Sequence, residues 1–393
     1  MHGLLRPHAD VRDTTEPKWA GPLAHAAAAL ARLDQALEAH PLVPAFLYRA
    51  RLDAVRRQAA ADGLAVDPWH LAALLEGLRL RMDPYLSMPE RGAVFTAARH
   101  AFDLHQWLAA PDFEQERDIQ MAARSLARAA AGQTPLLAAM RWLYDWLRNS
   151  GARAPARAVL IRYWTEEKLL RAPVPLTAPA ALRADAPGDR DEWVPVALSA
   201  LAGEAETFAG LLGEMARAWI RARNTVAEQR RKNSRAALAV DILAAAPLIS
   251  PRALAAGLGM SVSNATILLA DFCADGIAVE VSHRSKRRLF GLAGLAPLRA
   301  ATAPPRRPDP LRGRGRPLNG ADDLEAPLTP EPAPASGSLH WRELEYSDLT
   351  RWMVQADAAI RRARIVLGGL ATARSDDAEL GRGPEDLAAL EEG

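Results

Sequence analysis

Residues 237–292 read ALAVDILAAAPLISPRALAAGLGMSVSNATILLADFCADGIAVEVSHRSKRRLFGL, and this stretch decides the fold. It holds three helix signals and then two strand signals. The first helix is expected over Ala237–Ala246. Ser250 is a good N-cap and Pro251 suits a first helical position, where its missing N–H costs no bond. They start a second helix, Pro251–Leu258. Gly259 ends it, because glycine enters the left-handed conformation freely. Ser261 then caps a third helix, Val262–Asp275, which Gly276 terminates. Two strand-like runs follow, Ala278–Ser282 and Leu289–Leu292. Between them lies the basic turn His283-Arg284-Ser285-Lys286-Arg287-Arg288.

The spacing of Leu254, Leu258, Gly259, Ser261, Ala265, Leu269 and Phe272 resembles that of helix-turn-helix domains. Such a resemblance implies a small residue at Ala265, where two helices cross, and a mini-core of Leu268, Leu269, Phe272 and Ile277. Val262, Ser263, Asn264, Thr266 and Ile267 are left on the opposite side, the side that enters the major groove in this class. Asn264 suits an adenine edge, and the methyls of Val262, Thr266 and Ile267 suit thymine methyls. The basic turn reads as the tip of a wing, with Arg284, Lys286, Arg287 and Arg288 directed at phosphates or the minor groove. Two other readings of the same pattern are a helical hairpin in an ordinary bundle and a winged helix used for protein contact.

Flanking charge points the same way. Arg221, Arg223, Arg230, Arg231, Lys232 and Arg235 precede the first helix. Downstream, Arg314-Gly315-Arg316-Pro317 resembles the core of an AT-hook, whose arginines lie in the narrow, strongly negative minor groove of A·T tracts. A generic arginine-rich linker is the equal alternative. From His283 to Pro317 there are ten Arg or Lys residues and only Asp309 opposes them, so the formal net charge of +2 conceals a basic patch.

The remainder reads as helix. Residues 1–20 look irregular, and 21–235 form a helical domain. Amphipathic segments are expected at Leu23–Ala39, Val43–Ala61, Trp69–Met82, Glu90–Leu108, Glu114–Ala131, Thr134–Arg148 and Ala156–Leu170. Residues 172–192 are Pro-rich and polar and read as a loop. A long helix then spans Val194–Arg231. After the winged helix (236–295), residues 296–345 read as a basic Pro/Gly/Arg-rich linker. A terminal amphipathic helix is expected at 346–370 and an acidic tail at 371–393. The fold class is thus mainly α, a helical bundle followed by a winged helix-turn-helix with a short β-hairpin.

Composition excludes several functions. Cys273 is the sole cysteine, so an intramolecular disulfide and a cysteine-based zinc site are both ruled out. No signal peptide or membrane span is visible. His100 and His105 stand five apart and do not share a helix face as zinc-binding pairs do. Glu166 and Glu167 read as a solvated acidic pair, and Trp142, Trp146 and Trp164 as core. Nothing calls for a cofactor or a metal, and no catalytic constellation is present. Only four of the 49 basic residues are lysine, a bias that carries no functional weight by itself.

Two family resemblances bear on function. Residues 237–290 resemble the winged helix that ends many Fic-type adenylyltransferases, but none of the nine histidines is followed by Pro-Phe, so the catalytic loop of that family is missing. Residues 130–292 resemble an uncharacterised bacterial family, often plasmid-borne. Its members join a helical domain of unknown function to a C-terminal helix-turn-helix. The residues that carry this are Thr134-Pro135-Leu136-Leu137 leading to Trp142, the long helix, and the winged helix. The resemblance implies a double-stranded-DNA-binding protein of the cytoplasm and nucleoid, read here as a transcriptional regulator and not an enzyme. The helical domain would supply dimerisation or ligand sensing. The alternatives are a replicon-maintenance or architectural DNA-binding protein, and a Fic-derived protein with an enzymatic or adaptor role.

Overall fold

The computed structural model describes residues 17–229 and 235–305. In chain order these form α1 (Ala20–Ala36), α2 (Val43–Ala61), α3 (Pro68–Leu75), α4 (Met88–Ala109), α5 (Phe113–Ala130), α6 (Pro135–Ser150), α7 (Arg153–Glu166) and α8 (Arg190–Gln229). There follow α9 (Ala236–Ala245), α10 (Pro251–Leu258), α11 (Val262–Ala274), β1 (Ala278–Glu280), β2 (Phe290–Leu292) and α12 (Ala296–Ala301). The architecture is mainly α. Among the described residues the one sheet is the antiparallel pair β1–β2, in register Ala278 with Leu292 and Glu280 with Phe290.

The helices begin where side chains take up the free N–H groups of a first turn. Asp67 accepts from the Trp69 amide at 2.8 Å to start α3. Glu90 accepts from the Ser87 amide at 2.7 Å at the head of α4. Asp112 and Gln115 form a reciprocal capping box for α5. The long α8 starts at Arg190 rather than Val194, because Asp189 accepts from the Asp191 amide at 2.8 Å and caps it early.

Helix α1 packs along α8, and the main core forms around that pairing. Leu30, Leu33, Phe46, Trp164, Leu198, Leu201 and Phe208 are buried in it, with the Phe46 and Phe208 rings edge to face at 6.3 Å. Burying each such side chain contributes about 1.5–3 kcal/mol relative to exposure. A second core joins α2, α3 and α4 through Tyr48, Leu52, Val55, Leu71 and Leu104. Val281, Leu295 and Leu298, from beyond α11, belong to this same core.

Three expectations need correction. The segment expected as a loop at 172–192 ends at 189 and holds a 3-10 turn at Pro179–Leu182, and its first half is not solvated: Val174, Leu176, Thr177 and Ala178 are fully buried. Two tryptophans hold it, Trp164 Nε1 donating to the Leu176 carbonyl and Trp193 Nε1 to that of Ala181, each at 2.9 Å. The expected helix Trp69–Met82 stops at Leu75, because Gly77 turns left-handed (φ 58°) and the Leu78 amide folds back onto the Ala73 carbonyl at 2.8 Å. Leu80 then pairs with Thr302 in an isolated bridge. Finally, the linker does not begin at 296. Leu295 and Leu298 bury against α2–α4, which makes 296–301 a short helix and ties 302–303 to 79–81. The described residues accordingly fall in one compact unit ending at Pro305, not in two at residue 235. The expected terminal helix, the acidic tail and most of the linker lie outside the described residues. No single helix among the described residues is long and apolar enough to cross a membrane.

Candidate nucleic-acid interface

The local signals in residues 236–292 build what their chemistry dictates. Ser250 Oγ accepts from the Ala253 amide and Ser261 Oγ from the Asn264 amide, each at 3.2 Å, so α10 and α11 both start on serine caps. Gly259 sits at φ 61°, a left-handed C-cap. The Met260 amide reaches the Ala255 carbonyl at 3.0 Å and closes the turn. The two helices then diverge by 111°. Ala265, Leu269 and Phe272 are wholly buried between them, and Ala265 is small where a larger side chain would force the helices apart. Leu268 is half-buried at the edge of this core and Ile277 lies within it.

The opposite face of α11 is open. Val262 and Ile267 are 50% and 58% exposed, the only residues of this helix among the large exposed apolar side chains of the described residues. Ser263 and Asn264 are exposed beside them, and Thr266 is half-exposed. Thr266 Oγ1 donates to the Val262 carbonyl at 2.8 Å, so its hydroxyl turns back on the helix. The five residues picked from the sequence therefore share one solvent-facing surface. That surface bears no lysine or arginine.

The basic turn is placed less simply. Glu280 organises it, accepting from the Ser282 and His283 amides at 2.9 and 3.2 Å, from the Ser282 hydroxyl, and from Arg299 at 2.7 Å. Burial alone would raise the Glu280 carboxyl, but these bonds from Ser282 and Arg299 hold it below the usual range. His283 and Arg287 take left-handed backbone (φ 51° and 55°) to complete the turn. Arg284 folds onto the helical body, donating to the Gly77 carbonyl at 3.0 Å. Arg288 is half-buried, whereas Lys286 and Arg287 are exposed. Of the four basic residues expected at a wing tip, two thus remain fully open to a partner. Arg314 and Arg316 lie outside the described residues, as do Arg230, Arg231 and Lys232.

Two arginines counted in the basic flank have structural work instead. Arg223 pairs with Asp241 at 3.3 Å and lies over the Trp219 ring, whose Nε1 also donates to Asp241 at 2.8 Å; this joins α8 to α9. Arg235 donates to the Leu258 and Gly259 carbonyls and braces the turn between α10 and α11. Neither role is visible in charge spacing alone. Among the described residues no three His, Cys, Asp or Glu side chains gather to hold a metal. His105 is driven down to about 3 by burial and by the Arg51 charge, and burial pushes the Cys273 thiol up.

The chain matches no protein-family model and no curated protein. What the interface does is therefore read from its geometry.

Proposed function

We propose that this protein binds double-stranded DNA through a winged helix-turn-helix made of α9, α10, α11 and the β1–β2 hairpin, and that it regulates transcription. The observation that carries this reading is α11 itself. It crosses α10 at 111° over a fully buried Ala265 and leaves Val262, Ser263, Asn264 and Ile267 open to solvent. Helix-turn-helix pairs cross at about 90–120° and lay the second helix in the major groove. Ile249 and Phe290 exchange amide bonds at 2.8 and 2.9 Å, so the segment before α10 adds a third, one-bridge strand beside the hairpin, as a wing needs. Lys286 and Arg287 supply phosphate contacts, and Asn264 reads a base edge. A charge-free recognition surface reads mainly through methyl contacts, so affinity depends on the turn and the flanks.

The test is selection of bound duplexes from a random or genomic pool by the full chain, followed by titration of the recovered site. Asn264→Ala is expected to cost about 1–3 kcal/mol at that site and much less on unrelated DNA. Equal losses on both would remove Asn264 from base readout, and no duplex retained at low salt would end the DNA reading.

One observation favours a second reading, a winged helix that contacts protein. Val262 and Ile267 each expose a large apolar side chain on a helix that also carries Asp271 and no basic residue. Under that reading Val262→Asp abolishes a protein complex and leaves DNA retention unchanged.

A further inference from the structure

A groove of about 330 Å³ opens between the last turn of α6, the start of α7 and the loop 183–188. Its volume lies at the lower end of small-molecule sites, about 300–1,000 Å³. A second hollow of about 590 Å³ adjoins it, and the two share Arg153 and Arg183. Arg148, Arg153 and Arg183 line the first groove, and none of its lining residues is acidic. The second contains one acid, Asp62, which is already engaged. Arg153 reaches it at 2.6 Å and the buried Arg157 grips it with both arms at 2.8 and 2.9 Å. Two guanidinium groups, those of Arg153 and Arg157, thus hold that carboxylate.

Several arginines elsewhere on the helical body are paired: Arg56 and Arg57 with Asp53, Arg162 with Glu116, Arg171 with Asp34, Arg190 with Asp145. Arg148 and Arg183, like Arg124, Arg217 and Arg221, are exposed and engaged by no carboxylate or carbonyl among the described residues, but only these two line the groove. The last turn of a helix suits Arg148 on its own account, since the helix C-terminus attracts cations. No such reason holds for Arg183, which stands in the loop. The groove is also pre-formed. The Tyr144 hydroxyl donates to the Gly188 carbonyl at 2.5 Å, and its ring packs against Trp193 at 5.6 Å, which fixes the loop opposite Leu147 and Arg148.

We propose that this groove binds a small organic anion, whose phosphate or carboxylate group is held by Arg148, Arg153 and Arg183 against an apolar wall. Arginine forks match both groups bidentately, and binding gains further from an arginine that has no protein partner to give up. The site lies on the helical body and does not depend on the DNA reading.

The test is calorimetric titration of the full chain, without DNA, with pyrophosphate and with citrate at constant ionic strength. Saturable binding of at least one is expected, and which one binds assigns the phosphate or the carboxylate class. In Arg148→Gln with Arg183→Gln, affinity is expected to fall at least about tenfold, or 1.4 kcal/mol. Because neither side chain holds a structural contact, this variant melts with the parent. Arg99→Ala with Arg128→Ala removes the same charge elsewhere and is expected to bind like the parent. No saturable binding of either anion, equal binding by the groove variant, or equal loss in the charge-matched control overturns the proposal.

Discussion

Glu204 shows how one side chain can hold a loop inside a core. It is 2% exposed, and its Oε2 accepts from the Thr177 and Ala178 amides at 2.8 and 2.9 Å. Those two amides belong to a buried loop and have no helix or strand to satisfy them, so the carboxyl replaces the missing ladder. Gln58 completes the group, Nε2 donating to Thr177 Oγ1 at 3.1 Å. Glu204 Oε1 and Gln58 Oε1 remain without a partner, an arrangement that suits a protonated carboxyl better than an ionised one. Burial raises the Glu204 pKa to about 7 against the opposite pull of the two amides, with Arg57 lowering it and Asp53 raising it as lesser neighbours. A carboxyl whose folded pKa exceeds its unfolded value binds its proton more tightly in the native state. Its contribution is full below about 4.5 and is lost as pH rises through about 7. Denaturant titrations of the parent chain across that window are expected to show stability falling with pH, offset in part by His105, whose folded value near 3 gives the opposite slope up to about 6.5. Glu204→Gln should shallow that slope, though Glu76, also raised to about 7 by burial, keeps part of it. An unchanged slope in the variant would show that Glu204 is ionised at both ends of the window. Nothing in the residue string PVPLTAPA announces this role, since proline and threonine there read as surface loop until the fold places Glu204 beside them.

At the scale of elements, legibility tracks how local the cause is. The caps Ser250 and Ser261, the left-handed Gly259 and the small Ala265 act within a few residues. The bounds expected for α10 are those observed, and α11 ends within a residue of its expected limit. The same holds for α2, expected and found at Val43–Ala61. The basic turn was legible as a turn but not as a surface, because Gly77, which takes the Arg284 guanidinium, lies 207 residues away in sequence. The open face of α11 was legible by elimination, as the side left over once Leu269 and Phe272 turn inward. Its function is a proposal, and the turn offers the sharper test. Lys286 and Arg287 are the exposed members, so they, rather than Arg284 and Arg288, should meet phosphate. Each phosphate neutralised adds about 0.9 to the slope of log affinity against log salt. Lys286→Ala with Arg287→Ala is therefore expected to flatten that slope by about 1–2 units while leaving preference between sites nearly unchanged. Loss of two exposed charges should barely move stability. An unaltered slope in a variant that still binds would relocate the DNA backbone away from this turn.

Across the whole molecule, the hairpin and the helical body share one core, so residues 236–295 are not a freely moving module. Val281, Leu295 and Leu298 pack with Tyr48, Leu52 and Leu71, and Thr302 Oγ1 donates to the Val281 carbonyl at 2.7 Å. The Arg81 amide takes the Ala301 carbonyl and the Ala303 amide that of Arg79, both at 2.8 Å, so a short two-sided clasp closes residues 79–81 onto 301–303. A flexibly tethered winged helix would show none of these contacts. A site on the helical body that shifts α2–α4 is instead mechanically joined to the hairpin through a packed interface, the physical requirement for coupling between sites. Composition hid this, because LAPLRAAT at 295–302 looks like the start of the Pro- and Arg-rich stretch that follows it. The position of the true boundary can be measured. A chain ending at Pro305 retains α12 and the clasp, and is expected to melt in one cooperative transition near that of the full chain. A chain ending at Leu295 loses buried Leu298 and the Thr302 bond and opens a cavity beneath the hairpin. Removing one buried leucine side chain costs about 2–5 kcal/mol, and each 1 kcal/mol lowers Tm by about 2–4 °C in a domain of roughly this size. The shorter chain should therefore melt at least about 5 °C lower, or in two steps, while Leu298→Ala in the longer chain should reproduce most of the loss. Identical melting of the two truncated chains would mean that residues 296–305 contribute nothing to the core, and would return the domain boundary to residue 295.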